Sequence, residues 1–189
     1  MKIAIIIGST RPGRKGEAVA QWVRDIAAKR GDAHYEIVDI ADYALPHIDE
    51  PVPPMMGQYS RPHSHVWAEK IASYDGFVFV TPEYNHAPNG ALKNAIDFLY
   101  AEWNHKPAAF VGYGASGGVR AVEHLRLILA NVAVATVRPQ VELSLIHDFA
   151  EWTHLTPGPH QEAAVGAMLD DLALWAGALK SAREPGVAA

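Results

Sequence analysis

Three short loops in the sequence carry residue types that could bind a phosphate and a flat aromatic ring. The first loop runs from Gly8 to Gly16, between a β-branched apolar run and the start of helical periodicity. Free backbone N–H groups at a helix N-terminus, the hydroxyl of Ser9 and the charge of Arg11 would suit a phosphate. The loop has neither the G-x-G-x-x-G nor the P-loop spacing, so it could also be a turn with solvated arginines.

The other two loops each follow an apolar run and offer groups for a planar ligand. In Pro82-Glu-Tyr-Asn85, the ring of Tyr84 gives a flat face, and Asn85 can bond a polar ring edge. In Gly114-Ala-Ser-Gly-Gly118, the glycines allow close approach to the backbone and Ser116 can donate. Singly, Tyr84 could cap the core and the glycines could form a turn, but all three loops at one edge would suit flavin mononucleotide (FMN).

The elements that must position these loops alternate between strands and helices. Apolar runs predict strands over 3–7, 34–40, 77–80, 108–113 and 134–138, and a short strand-like segment over 141–146. Spacings of three and four predict helices over 18–26, 61–74, 91–100, 119–129 and 161–180, with Leu172 and Trp175 facing inward in the last. This alternation predicts a doubly wound α/β fold, and in the strand order 2-1-3-4-5 the three loops would share one rim.

Length and composition narrow the class of protein. The chain has 189 residues, of which 49% are hydrophobic and 20% charged, which fits a single domain over 1–183 with a disordered tail over 184–189. A scattered net charge of −5 and apolar runs of strand length argue against nucleic-acid or membrane partners. With no cysteine and no export signal, we expect a cytoplasmic protein, and the ten dispersed histidines predict no metal site.

Four segments together resemble the NAD(P)H-dependent FMN reductase family of flavodoxin-like proteins, which includes quinone, azo-dye and chromate reductases. They are Gly8-Ser-Thr-Arg11, Pro82-Glu-Tyr-Asn85, Leu92-Lys-Asn-Ala-Ile-Asp97 and Tyr113-Gly-Ala-Ser-Gly-Gly118. The resemblance implies a flavodoxin-like three-layer sandwich, bound FMN, and NADPH or NADH as co-substrate. It also implies a homodimer or homotetramer in which a neighbouring subunit helps to wall the flavin site.

The resemblance also implies roles for individual residues by matched position. Ser9 and Arg11 would hold the phosphate, together with backbone N–H groups near Gly16, Glu17 and Ala18. The isoalloxazine would be flanked by Pro82, Glu83, Tyr84 and Asn85, and its other edge would be covered by Gly114, Ser116, Gly117 and Gly118. Many relatives have a small polar residue and an asparagine where Arg14 and Gly16 stand, and Arg14 could substitute by charge.

The activity that these expectations predict is a ping-pong transfer of hydride from NAD(P)H to quinones or related electrophilic small molecules. The flavin would do the chemistry, so no catalytic side chain is required. His86 could face the acceptor, and Glu83 and Asp97 could be read as an acid/base pair, although Asp97 fits a helix face better. Two alternatives remain open: a flavodoxin-type electron carrier, which the modest charge disfavours, and a non-catalytic module that binds a phosphorylated metabolite.

Overall fold

A computed structural model describes residues 1–184, in which strands and helices alternate. The strands of the main sheet are β1 (Lys2–Ile7), β2 (His34–Asp39), β3 (Gly76–Pro82), β4 (Pro107–Gly114) and β5 (Ala135–Ser144). The helices are α1 (Gly16–Ala27), α2 (Pro62–Ala72), α3 (Gly90–Asp97), α4 (Val119–Asn131) and α5 (Pro159–Arg183). Two short strands, β6 (Phe149–Ala150) and β7 (His154–Leu155), form an antiparallel hairpin. Apart from Glu184, the tail expected over 184–189 lies outside the described residues.

The sheet has the predicted strand order. The five strands lie in the order β2-β1-β3-β4-β5, and each neighbouring pair is parallel. Ile7 of β1 is opposite Val80 of β3, and Pro82 of β3 is opposite Tyr113 of β4. The carboxyl ends of β1, β3 and β4 therefore meet at one edge of the sheet, as ligand sites in such folds require.

Two buried layers cover the two faces of the sheet, which confirms the three-layer sandwich. On one face α2, α3 and α4 pack against an aromatic cluster that includes Trp67, Phe79 and Trp103. On the other face α1 and α5 bury aliphatic side chains such as Val23 and Leu169. Because both faces are covered, the central strands are continuously apolar rather than alternating.

Strand β5 is longer than the sequence predicts. The segments expected over 134–138 and 141–146 form one strand that continues through Pro139. A proline is tolerated because β5 is at the sheet edge and is irregular there: Ala108 pairs with Thr136, but Phe110 pairs with Gln140. Arg126 of α4 supports the irregularity by donating to the carbonyl oxygens of Val137 (2.7 Å) and Arg138 (3.2 Å).

The inward face of α5 also differs in one position from the prediction. The side chain of Trp175 is 43% exposed, whereas Leu172 and Ala176 are buried. Ala176 continues the buried row at a spacing of four from Leu172, and Trp175 is rotated about 100° away from Ala176 around the helix. The prediction that Trp175 faces the core is therefore wrong. Over residues 1–184, no helix combines the length and the apolar character needed to cross a membrane.

Candidate functional site

The first loop leads from the end of β1 into an uncapped helix N-terminus. The backbone N–H of Gly8 donates to the carbonyl oxygen of Val80 on β3, at 2.9 Å. Helix α1 begins at Gly16. The residue before it, Lys15, makes no capping hydrogen bond with its side chain. The N–H groups of its first turn, from Gly16 to Ala18, therefore have no side-chain cap and can bind an anion at the positive end of the helix dipole.

Ser9 lies beneath this loop rather than on its surface. Its side chain is 1% exposed, and its Oγ lies 3.1 Å from the Oη of Tyr84 in the second loop. The backbone N–H of Arg11 also donates to this oxygen, at 3.4 Å. Ser9 thus joins the first loop to the second, while Arg11 remains exposed at the mouth of the site.

Arg14 is engaged in contacts inside the protein. Its guanidinium donates to the carbonyl oxygen of Ser9 (2.9 Å) and to Glu17 (2.9 Å), and it pairs with Asp39 at the end of β2. Burial raises the pKa of Asp39, and the charge of Arg14 partly offsets this effect. Since two carboxylates neutralise it, Arg14 orders the loop more than it supplies free charge.

A tight turn forms the second loop. The backbone groups of Tyr84 and Ala87 exchange two hydrogen bonds of 2.9 and 3.1 Å. Between them Asn85 and His86 have φ angles of 48° and 73°, the pattern of a type I′ turn. The turn directs Asn85 and His86 to the exposed side, and the His86 ring lies 6.1 Å from that of His124 on α4.

An ion pair with a buried carboxylate and a half-exposed guanidinium ties the second loop to the third. The Glu83 side chain is 7% exposed; it accepts a hydrogen bond from the backbone N–H of Arg120 (3.2 Å) and pairs with the guanidinium of the same residue. Asp97 instead pairs with Lys93 on the exposed face of α3. Because Glu83 and Asp97 have different partners, the structure gives no support to their reading as an acid/base pair.

The third loop folds back closely on the end of β4. A Cβ atom at Gly114 would lie 3.3 Å from the Cβ of Glu83. A Cβ atom at Gly118, whose φ is +73°, would lie 2.5 Å from the backbone nitrogen of Tyr113. Ala115 and Ser116 are exposed at the tip of the turn. A side chain is thus excluded at Gly118, where the loop meets β4, and would be tightly packed at Gly114, where it meets the second loop.

Together the loops line a cleft of about 230 Å³ at the carboxyl edge of the sheet. Of the residues that the sequence predicts for the site, six line this cleft, namely Arg11, Arg14, Pro82, Glu83, Tyr84 and Gly114. It is also lined by Gly13, Lys15, Tyr113 and Leu145. Ser116 and Gly117 line a neighbouring cavity of about 470 Å³ instead, beside His147 and Asp148. The remaining predicted residues, Ser9, Gly16, Glu17, Ala18, Asn85 and Gly118, lie around the cleft without lining it.

The residues in and around the cleft fit a ligand that carries a phosphate at one end and a ring at the other. The uncapped α1 terminus supplies donors, and the side chains of Arg11 and Lys15 form no ion pair within residues 1–184. A Cβ at Gly16 would lie 3.1 Å from the hydroxyl of Tyr113, so the glycine avoids a tight contact at the start of α1. Pro82, Tyr84 and Leu145 provide apolar surface in the same cleft.

Sequence reasoning missed several residues that shape the site. Asn89 donates to the carbonyl oxygen of Gly8 (2.6 Å) and caps α3 through the N–H of Leu92 (3.0 Å), so it ties the start of the first loop to the start of α3. An asparagine directly before a helical segment is a preferred N-cap residue, and this pattern could have identified Asn89 from the sequence. Tyr113, a phenol that ends an apolar strand before a glycine turn, offered a second signal, whereas nothing local identifies Asp39 or Arg120.

Comparisons with known proteins agree with this geometry. Residues 1–148 match the family described as NADPH-dependent FMN reductase. An NAD(P)H-dependent FMN reductase of Nectria sp is 45% identical over 144 residues, which cover 73% of this chain and 72% of the relative. A 2-hydroxy-1,4-benzoquinone reductase of Burkholderia sp is 31% identical over 155 residues, covering 78% and 80%. Among solved structures, the flavoenzyme NAD(P)H:(acceptor) oxidoreductase FerB from Paracoccus denitrificans has a TM-score of 0.72 at 23% identity, covering 94% of this chain and 97% of that one, a likeness of fold.

Proposed function

The chain belongs to the NADPH-dependent FMN reductase family, and from this premise we propose that it passes hydride from NAD(P)H to quinones or related electrophiles by a ping-pong mechanism. The enzyme is an oxidoreductase that uses FMN and NAD(P)H. The observation that carries the finer proposal is the cleft at the carboxyl edge of the sheet. The cleft combines the donors and cations of the first loop with apolar surface from Pro82, Tyr84 and Leu145.

We assign the phosphate to the first loop and the ring to the second and third. The first-turn N–H groups at Gly16, Glu17 and Ala18 and the Arg11 guanidinium would bind the phosphate, with Ser9 and Arg14 holding the loop in shape. Pro82, Tyr84 and Asn85 would flank the ring, and Gly114 would allow it to approach the backbone. When bound, FMN supplies the chemistry, since it accepts a hydride from a nicotinamide and passes it to an acceptor.

The Glu83–Arg120 pair would keep the ring-binding loops in register. It joins the loop after β3 to the start of α4, and its carboxylate is buried. A rigid arrangement of peptide donors beside the ring would favour the reduced, anionic form of the cofactor. Ser116 and Gly117 line the neighbouring cavity rather than the cleft. We therefore assign them, with Gly118, to the shape of the turn and not to contact with the ring.

The proposal that the acceptor is a quinone rests on the relatives. A relative from Burkholderia is named for its reduction of a benzoquinone. A ping-pong order follows if nicotinamide and acceptor use the same face of the ring in turn. We also propose that the protein is a homodimer or homotetramer, because the apolar side chains of Met55 and Leu127 are exposed on the α3–α4 side. Sedimentation velocity tests this assembly.

The decisive experiment starts from the absorption spectrum of the purified protein with FMN added. Without oxygen, NADH or NADPH should bleach the flavin band, and a quinone should restore it. Initial rates at several quinone concentrations should give parallel double-reciprocal lines. Intersecting lines would contradict the ping-pong order, and a flavin that NAD(P)H does not reduce would indicate an electron carrier. A chain that takes up no FMN would refute the proposal.

A pair of arginine variants separates binding at the first loop from general effects of charge. Arg11→Ala should weaken FMN binding by about tenfold, because one charged donor to the phosphate is lost. Arg24 is on α1 away from the cleft, and its one ion pair among the described residues is with Asp25, at 3.7 Å, so Arg24→Ala should leave FMN binding unchanged. Isothermal titration of both variants checks the assignment, and equal losses would remove the role of Arg11.

A further inference from the structure

The segment that joins β5 to α5 exposes two large apolar side chains. Ile146 is 56% exposed and Trp152 is 59% exposed. Both follow Leu145, which lines the cleft and whose N–H donates to the carbonyl oxygen of Gly114 at 3.0 Å. Because β5 is parallel to the other strands, the segment starts from the carboxyl edge of the sheet, where the cleft lies. Exposed apolar side chains therefore follow the cleft wall at the same edge.

Trp152 has a backbone conformation that large residues seldom adopt. The chain reverses at the tip of the β6–β7 hairpin, where Glu151 and Trp152 have φ angles of 51° and 60°. This left-handed region is usually occupied by glycine or asparagine. Backbone outliers of this kind occur most often at functional sites, where the surrounding structure holds them in place. The hairpin also follows residues 1–148, which match the family, so it is a feature of this chain.

Buried contacts fix both ends of the hairpin. The carboxylate of Asp148 is buried and accepts hydrogen bonds from the N–H of Ser144 (2.7 Å) and from the side-chain amide of Gln161 on α5 (2.5 Å). The carbonyl oxygen of Asp148 accepts from the N–H of Thr156, at 2.8 Å. Phe149 is 3% exposed and packs in the layer of α1 and α5. Trp152 is thus presented to solvent from a well-anchored support.

The hairpin is close enough to the cleft for one ligand to contact both. The N–H of Asp148 donates to the carbonyl oxygen of Ser144 (2.8 Å), which turns the chain back directly after β5. From Asp148 to Trp152 an extended chain spans at most about 14 Å. Leu145 and Phe149 also pack with the same layer as Tyr113 of the cleft. The segment therefore adjoins the cleft, whereas the proposed subunit contact at Met55 and Leu127 is on the other face of the sheet.

We propose that Ile146 and Trp152 bind the apolar substituent of an alkylated quinone whose ring occupies the cleft. The inference rests on the proposed function and names its substrate class, quinones with an apolar chain in preference to unsubstituted ones. A chain that lies along this segment withdraws its own apolar surface and that of the indole from water, which provides the free energy of binding. Trp152 acts in binding and takes no part in hydride transfer.

The test is Trp152→Asn, which removes the indole and places at the hairpin tip a residue that tolerates its backbone angle. Steady-state rates should be compared for a decyl-substituted benzoquinone and for 1,4-benzoquinone. The ratio of their kcat/KM values should fall about tenfold, the factor given by roughly 55 Å² of apolar surface withdrawn from water. Titration with the decyl quinone, without NAD(P)H, should quench tryptophan fluorescence saturably in the wild type, and this component should be lost in the variant.

Trp175→Gln provides the matched control. Trp175 is also an exposed tryptophan (43%), but it lies about 24 Å along α5 from Pro159, away from the carboxyl edge. Its replacement should leave the kcat/KM ratio as in the wild type. An unchanged ratio in Trp152→Asn would overturn the inference, and so would a lower sedimentation coefficient, which would assign Trp152 to a subunit contact. A wild-type flavin that NAD(P)H does not reduce would instead refute the proposed function.

Discussion

Replacing Gly118 by alanine should destabilise the third loop by more than the cost of its left-handed backbone conformation, because the added Cβ would also clash with β4. Gly118 has a φ of +73° at the start of α4, and an added Cβ would lie 2.5 Å from the nitrogen of Tyr113 and 2.8 Å from the backbone of Gly112. These atoms belong to β4, which is buried and paired on both sides. The clash therefore cannot be relieved by the rotation of a side chain.

The predicted loss in the free energy of unfolding has two parts, and a second glycine of the chain allows them to be measured separately. A left-handed conformation costs a non-glycine residue about 1–2 kcal/mol, and forced overlap in a packed region costs about 1–3 kcal/mol more. Gly31 has the same φ of +73° and no atom within 4 Å of the added Cβ. Gly31→Ala should therefore show only the first part, and Gly118→Ala should lose about 2–5 kcal/mol in total.

Urea unfolding of the two apo variants measures this difference. The midpoint should fall for both and fall further for Gly118→Ala, with an unchanged slope if the denatured state is unaffected. FMN affinity should drop in Gly118→Ala, because the shifted turn adjoins Glu83 and the cleft, and should be unchanged in Gly31→Ala. Equal losses of stability would refute the argument that contact with β4 imposes a glycine at position 118.

Three further predictions concern charged groups. Arg120→Met should destabilise the protein by about 1–3 kcal/mol in urea unfolding and by more than Glu83→Gln, because it leaves a buried carboxylate without its cation; the reverse order would contradict this role of the carboxylate. The hydrogen bond from Lys70 lowers the pKa of Glu36 to about 2, so the stability it contributes is present above about pH 4.3 and is lost toward pH 2. Acid unfolding of Glu36→Gln should lack this component, and an identical acid profile would exclude it. Burial lowers the pKa of Lys106 to about 8, so the unfolded chain binds more protons between pH 8 and 10.5 and stability should rise with pH there; the rise should be absent in urea unfolding of Lys106→Met.

The fold was predictable because its signals are local and repeated. The run from Ile3 to Ile7 and the run from Phe77 to Val80 are apolar at every position, which is how a strand covered on both faces reads. Helix boundaries agree with the sequence patterns to within three residues. The exceptions depend on neighbours that the sequence does not identify. Pro139 is accommodated in β5 because Arg126 supplies donors from α4, and Trp175 is exposed because Ala176 fills the inward position.

The residues that make up the three loops were determined by the sequence, but their partners were decided by the tertiary structure. Composition and spacing identified Ser9, Arg11 and Tyr84, since glycine, proline and apolar runs mark strand ends locally. They could not indicate that Asp39 neutralises Arg14, or that Tyr113 lies beside Gly16. Such pairs are distant in sequence, and only the packing of β2, β4 and α1 brings them together. Burial and charge compensation belong to the folded chain, and for that reason only the structure could distinguish the arginine at the cleft mouth from the one held inside the loop.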